Sequence, residues 1–324
     1  MKRPAWKRWL LRAALAWALF VTLVSVALHP YWAITRTSGS RTLVVEGWMH
    51  DWGLEAAAKR FEGGGYERLV VTGTERPFAY YLMQGDTLAL QLPTQRNATI
   101  DLRIAGLPGE SFIAQADGRP LFQQVLGADE LSLHAEAQVF RTLKVFLEMP
   151  GDLPSTHVAA FIKELRIDGS NAHKEEVLVS ITQVDGSRTD GTPSFAHHGR
   201  QELLAQGIDE ALITVLPSWR VERSKTFSAA RDMDAWARAH GIASYDVATL
   251  AVHARRTWKM HRIARQGAPV GIVALDDPWC SRWSWWGNYY GWYQVVKESI
   301  ALPAPWLVDR LSEEKAEVSA PATR

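Results

Sequence analysis

Cysteine is nearly absent. Cys280 is the only one in 324 residues, which excludes an intrachain disulfide and any thiolate metal cluster. Net charge is also small: 36 Lys and Arg against 35 Asp and Glu leave +1, so no global field favours nucleic acid, and none is expected as a partner. There is no Gly-x-Ser-x-Gly elbow, which removes the best sequence support for a serine hydrolase. The glycine run Gly63-Gly64-Gly65 follows a helical stretch and precedes a strand, the reverse of the strand–loop–helix order of a phosphate loop.

The N-terminus is distinctive. Lys2, Arg3, Lys7, Arg8 and Arg12 come without an acid, and an uncharged apolar run follows from Ala13 to Leu28. A bilayer core takes about 20 mainly apolar residues in a helix. Trp9, Leu10, Leu11 and Tyr31 to Ile34 extend the run, and Trp9, Tyr31 and Trp32 stand where interfacial aromatics belong. The expectation is one transmembrane helix over 1–34, with the basic tip in the cytoplasm. The rest of the chain would then face the periplasm from the bacterial inner membrane. The alternative is a signal peptide cleaved at Ser25-Val26-Ala27, leaving a secreted glycan-binding protein.

Beyond the N-terminus the hydropathy pattern changes twice. Residues 35–85 read as strand, helix and strand: Thr42 to Val45, a helix with Leu54, Ala57, Ala58 and Phe61 on one face, then Arg68 to Thr72. Residues 86–192 alternate with period two at Thr87–Leu92, Thr99–Ile104 and Leu143–Phe146. Asp117-Gly118, Asp168-Gly169, Asp185-Gly186 and Asp190-Gly191 punctuate them as turns. That pattern predicts an inserted all-β sandwich. From 193 to 302 the first pattern returns, with strands at Leu212–Leu216, Tyr245–Thr249 and Val270–Leu275 and helices between; 303–324 is a tail. Continuous apolar strands alternating with helices predict a Rossmann-like α/β domain: a parallel sheet with helices on both faces. His197-His198 reads as a surface loop pair with no further ligand at metal-binding spacing.

Several of these segments together resemble the SanA/ElyC/YdcF family of envelope proteins. They are Val44-Val45-Glu46-Gly47-Trp48, Tyr66 to Gly73, Val221 to Thr226 with Ala229-Ala230, and Thr249 to Arg256, which carries a His253-x-x-Arg256 element. The resemblance covers about 35–80 and 198–300. It implies a membrane-anchored protein of cell-envelope or exopolysaccharide metabolism. At the start of the long helix, Lys225 to Ala230 lacks the glutamate the family often carries there. The insert looks like a calcium-dependent, xylan-binding carbohydrate-binding module. That implies a polysaccharide partner and calcium, with Glu148, Asp152 and Asp168 as available ligands.

In open α/β sheets ligands bind at the carboxyl ends of strands. That rule, with the resemblance, selects Glu46, Gly47, Thr72, Gly73, Arg223, Thr226, His253 and Arg256 as ligand-binding candidates. Glu46 and His253 are the acid–base candidates, His253 with Arg255 and Arg256 close by. The anion-binding start of a helix is expected at Arg223, Lys225 and Thr226. The enzymatic alternative is action on a phosphorylated or nucleotide-linked sugar or lipid carrier. The aromatic stretch Trp279 to Tyr293 fits packing, bilayer contact or glycan stacking, in that order.

Overall fold

The computed structural model describes residues 5–148, 158–175 and 177–301. In chain order the elements are α1 (Ala5–Trp32), β1 (Thr42–Glu46), α2 (Asp51–Gly63) and β2 (Arg68–Thr74). Then come β3 (Tyr80–Met83), β4 (Thr87–Gly106), β5 (Ser111–Ala116), β6 (Arg119–Val125), β7 (Leu131–Glu148), β8 (Val158–Ile167), β9 (Ser170–Asn171), β10 (Leu178–Thr182) and β11 (Arg188–Asp190). They are followed by α3 (Phe195–Ala205), β12 (Ile213–Ser218), α4 (Lys225–Ala239), β13 (Tyr245–Leu250), α5 (Ala254–Ala264), β14 (Val270–Leu275) and α6 (Tyr289–Ile300). The chain divides into two compact units, one from residues 1–74 with 196–324, the other from 75–195.

The first unit is α/β. Its five strands are all parallel, in the order β12-β2-β1-β13-β14. Each strand of β1 and β13 is buried along its whole length, as apolar runs without alternation require. Adjacent residues still face opposite ways. Leu43, Val45, Leu69 and Val71 join Leu54, Ala57 and Phe61 of α2 and Leu203 of α3. Val44, Val70 and Val247 join Met233 and Ala237 of α4 and Ala254 of α5. Helices therefore cover both faces, as the Rossmann-like reading expects. The chain leaves β1 toward β2 on one side, and β13 lies on the other, so the switch in strand order falls between β1 and β13.

α1 covers most of the segment expected to span a membrane. No helix among the described residues is long and apolar enough to cross a membrane. At the C-terminal end of α1 the last turns pack against α6 and the turn after β13. Trp32 is buried and Leu28 packs beside it against Val252, Trp285 and Val295, while buried His29 places Nε2 2.7 Å from the Cys280 carbonyl.

The second unit is a separate antiparallel sheet of nine strands. β4 pairs with β7 along most of its length; its other edge pairs with β10 at Thr87–Gln91 and with β8 at Ile100–Gly106. Alternate residues Leu88, Leu90, Ile100, Leu102 and Ile104 point into a core with Phe112, Phe140 and Ile162. Asp117-Gly118 and Asp168-Gly169 are two-residue hairpin turns with both residues at positive φ, the type I′ geometry that Asp-Gly favours. Gly191 is no turn glycine: a Cβ there would stand 2.6 Å from Cβ of Val179, so it serves close approach of the backbone.

Candidate functional site

Glu46 ends β1, buried, in register with Thr72 of β2. Beyond β13 a single 3-10 turn, Ala251–His253, leads into α5 and leaves His253 buried at the same end of the sheet. The strand-order switch thus brings Glu46 and His253 together at the carboxyl end of the sheet, with His253 Nε2 3.8 Å from Glu46 Oε2. Trp48 stands edge-on to the His253 ring at 4.9 Å between centroids. Thr257, one turn along α5, donates from Oγ1 to Glu46 Oε2 at 3.4 Å.

Helix α6 supplies the remaining member. Glu298 is fully buried, with Oε1 2.8 Å from His253 Nδ1. Arg256 holds the same carboxylate with two donors, Nε to Oε2 at 2.7 Å and Nη2 to Oε1 at 3.1 Å, and reaches Thr226 Oγ1 with Nη1 at 3.4 Å. Burial opposes ionisation of Glu298, but the hydrogen bonds and charges of His253 and Arg256 outweigh it and bring its pKa down to about 2. An ionised Glu298 can only accept, so His253 donates to it through Nδ1, which turns Nε2 toward Glu46. Among the described residues, Nε2 has no hydrogen-bond partner, and neither do the buried hydroxyls of Ser218 and Thr249 in β12 and β13. A buried polar atom left unpaired costs about 1–3 kcal/mol. Three of them lie toward the carboxyl ends of one sheet.

The structure therefore assembles Glu46, Thr72, Thr226, His253 and Arg256 at one end of the sheet. Arg223 sits differently, with φ at 61° and its guanidinium over the Phe227 ring. The start of α4 is capped by Ser224, whose Oγ accepts from the Phe227 amide, so part of the expected anion site is filled from within the chain. Gly47 is covered by Gly199 of α3 rather than left open to a ligand, and Gly73 lies inside β2 opposite Pro217. Arg255 turns away from His253 to the Tyr31 ring. Sequence reasoning missed Glu298. Its one signal is an acid on the helix that also buries Gly291 and Val295.

The calcium candidates do not converge. Glu148 ends β7 and accepts from Ser111 Oγ at 2.9 Å. Asp168 accepts from the Thr99 amide at 2.8 Å and pairs with Arg96 at 3.3 Å. Thr99 lies opposite Glu136, more than half the length of β7 from Glu148. Each carboxylate is already engaged locally, and Asp152 lies outside the described residues. Of the C-terminal aromatics, Trp285 is buried and Tyr290 packs beside it, whereas Trp283 and Tyr289 are 64% and 84% exposed. Packing thus accounts for only part of that stretch.

No family model matches the chain, and no curated protein matches it. A solved structure, the M60 catalytic domain with the CBM51-1 and CBM51-2 domains from Clostridium perfringens ZmpB, is similar at 10% identity and a TM-score of 0.22. The match covers 40% of this chain and 20% of that one.

Proposed function

We propose that the α/β unit is an acid–base enzyme acting on a phosphorylated or nucleotide-linked sugar or lipid carrier of the cell envelope. One observation carries the reading: His253 is oriented by the ionised Glu298 and presents an unpaired Nε2 toward Glu46. In this arrangement Nε2 takes the proton of an attacking water or hydroxyl, and Glu298 stabilises the imidazolium that results. The imidazolium then returns that proton to the leaving group, with the Glu46 carboxylate 3.8 Å from Nε2. The substrate class is supported by the polar groups at three strand ends, and the envelope setting by the resemblance of the Glu46 and His253–Arg256 segments. Purified chain is to be incubated with a panel of sugar phosphates, nucleotide sugars and polyprenyl phosphates, with product release as the readout. His253→Gln and Glu46→Gln are each expected to lower turnover by about 10²–10⁴-fold while circular dichroism stays unchanged. No turnover across the panel, or turnover untouched by the two substitutions together, overturns the proposal.

Localisation at the envelope side of the inner membrane belongs to the same proposal. It is supported by the exposed Trp279, Trp283, Tyr289, Trp292 and Tyr293 and by the exposed Trp17, Leu19 and Phe20 of α1, a helix that packs against α6. Such aromatics settle at the boundary of a bilayer.

A second proposal, polysaccharide binding by the β unit, is favoured by Tyr81. It is 63% exposed and stacks on Phe161 at 4.4 Å with rings 16° from parallel, a flat surface of the kind sugar rings cover. Calorimetry against envelope and plant polysaccharides tests it; equal binding by wild type and Tyr81→Ala would count against this surface.

A further inference from the structure

A second constellation lies at the carboxyl end of the same sheet. Asp51 is the first residue of α2, reached four residues after Gly47, and His198 and Glu202 stand one turn apart on α3. The expected loop at His197-His198 is therefore a helix, and its second histidine acquires ligand-type neighbours. One side-chain atom from each of Asp51, His198 and Glu202 lies within 4.8 Å of the other two. The cause of this approach is Gly199. A Cβ at that position would stand 2.8 Å from the Gly47 Cα and 2.8 Å from Cγ1 of Val71, so only glycine lets α3 lie directly on the strand ends. His198 and Glu202 are half-buried and Asp51 is exposed, which leaves one side open to solvent.

We infer that Asp51, His198 and Glu202 bind a first-row divalent metal ion of the zinc class. One imidazole with two carboxylates is a mixed nitrogen and oxygen set, which first-row transition metals favour, whereas calcium and magnesium take oxygen alone. Modest rotamer changes close the three atoms onto one ion at about 2.0–2.2 Å. Three protein ligands with an open side leave a coordination position for water or an anionic oxygen, the pattern of reactive rather than purely structural sites. His197 belongs to a different environment: its ring faces Trp219 at 6.3 Å, and burial with nearby Arg200 lowers its pKa.

The test uses tag-free full-length chain, stripped with chelator and titrated with zinc chloride by calorimetry, with cobalt absorption as a second readout. The expected result is one ion per chain and a cobalt spectrum of reduced coordination number. His198→Ala and Glu202→Ala each weaken binding by about tenfold or more, since even loss of an outer-shell partner costs on that order. His197→Ala leaves it unchanged. Asp51→Asn, at an exposed position, serves if a helix variant fails to fold. Wild-type chain that takes up no zinc, or His198→Ala, Glu202→Ala and Asp51→Asn variants that bind as wild type does, overturns the inference. Because no substrate is involved, failure here is separable from failure of the acid–base proposal.

Discussion

His253 and Glu298 are 45 residues apart in the chain and meet at 2.8 Å in the interior, Nδ1 against Oε1. The contact ties α6 to the junction of β13 and α5, so stability and the orientation of the imidazole depend on one carboxylate. Removing one partner of a buried ionic pair strands the other, at about 3–5 kcal/mol. Glu298→Ala is expected to lose that much in urea unfolding.

The same carboxylate gives a pH signature. Its folded pKa, about 2, lies below the ordinary 4.5, so ionised Glu298 stabilises the fold above pH 4.5, and this contribution is lost as pH falls from there toward 2. Glu298→Gln removes that dependence. Unfolding midpoints measured from pH 5 down should be flatter for the variant than for wild type.

His261 contributes in a different window. It is wholly buried, and burial lowers its pKa from 6.5 to about 3; Tyr245 Oη lies 3.1 Å from its Nδ1. Between those values the unfolded chain binds a proton that the folded chain refuses, so stability falls as pH drops below 6.5 and stops falling on this account near 3. His261→Asn should reduce the slope of unfolding free energy against pH by about one proton, or about 1.4 kcal/mol per pH unit, between pH 4.5 and 6. An unchanged slope there would mean that His261 titrates normally.

Gly199→Ala places a methyl against Gly47 and Val71. Overpacking of this kind costs about 1–3 kcal/mol. Calorimetric melting should register the loss, and zinc affinity should fall with it if α3 is pushed outward.

Trp279, Trp283 and Tyr289 can be changed to Ser together with little effect on the fold, since all three are more than half exposed. Sedimentation with phosphatidylglycerol vesicles should show weaker binding than wild type. Equal sedimentation would assign vesicle binding to α1 alone.

Much of the fold was legible because its physical causes are local. Thr42–Val45 and Val270–Leu275 are apolar without alternation, which only a doubly covered sheet accommodates, and Asp117-Gly118 writes a hairpin into two residues. Glu46, His253 and Arg256 were legible as a group through the strand-end rule and the resemblance. Glu298 was not, because its role exists only once α6 folds back over α5. His198 was missed for a smaller reason: the helix begins at Phe195, and Ser194, a residue type that starts helices, was available to show it. The packing of the N-terminal segment was not legible, because composition registers the apolar run but not the burial of Trp32 and His29 at its end.

The β unit enters the chain between β2 and β12, two strands that pair side by side in parallel. During synthesis β2 therefore emerges with its β12 edge unclaimed and waits while residues 75–195 are made. At about 5–20 residues per second that delay is on the order of ten seconds. The β unit, whose strands all pair among themselves, can complete its own sheet in that interval. The Glu75–Ser194 bridge would then hold the end of β2 near the start of α3, from which β12 follows, so that slow folding of the β unit would appear as aggregation of the α/β unit.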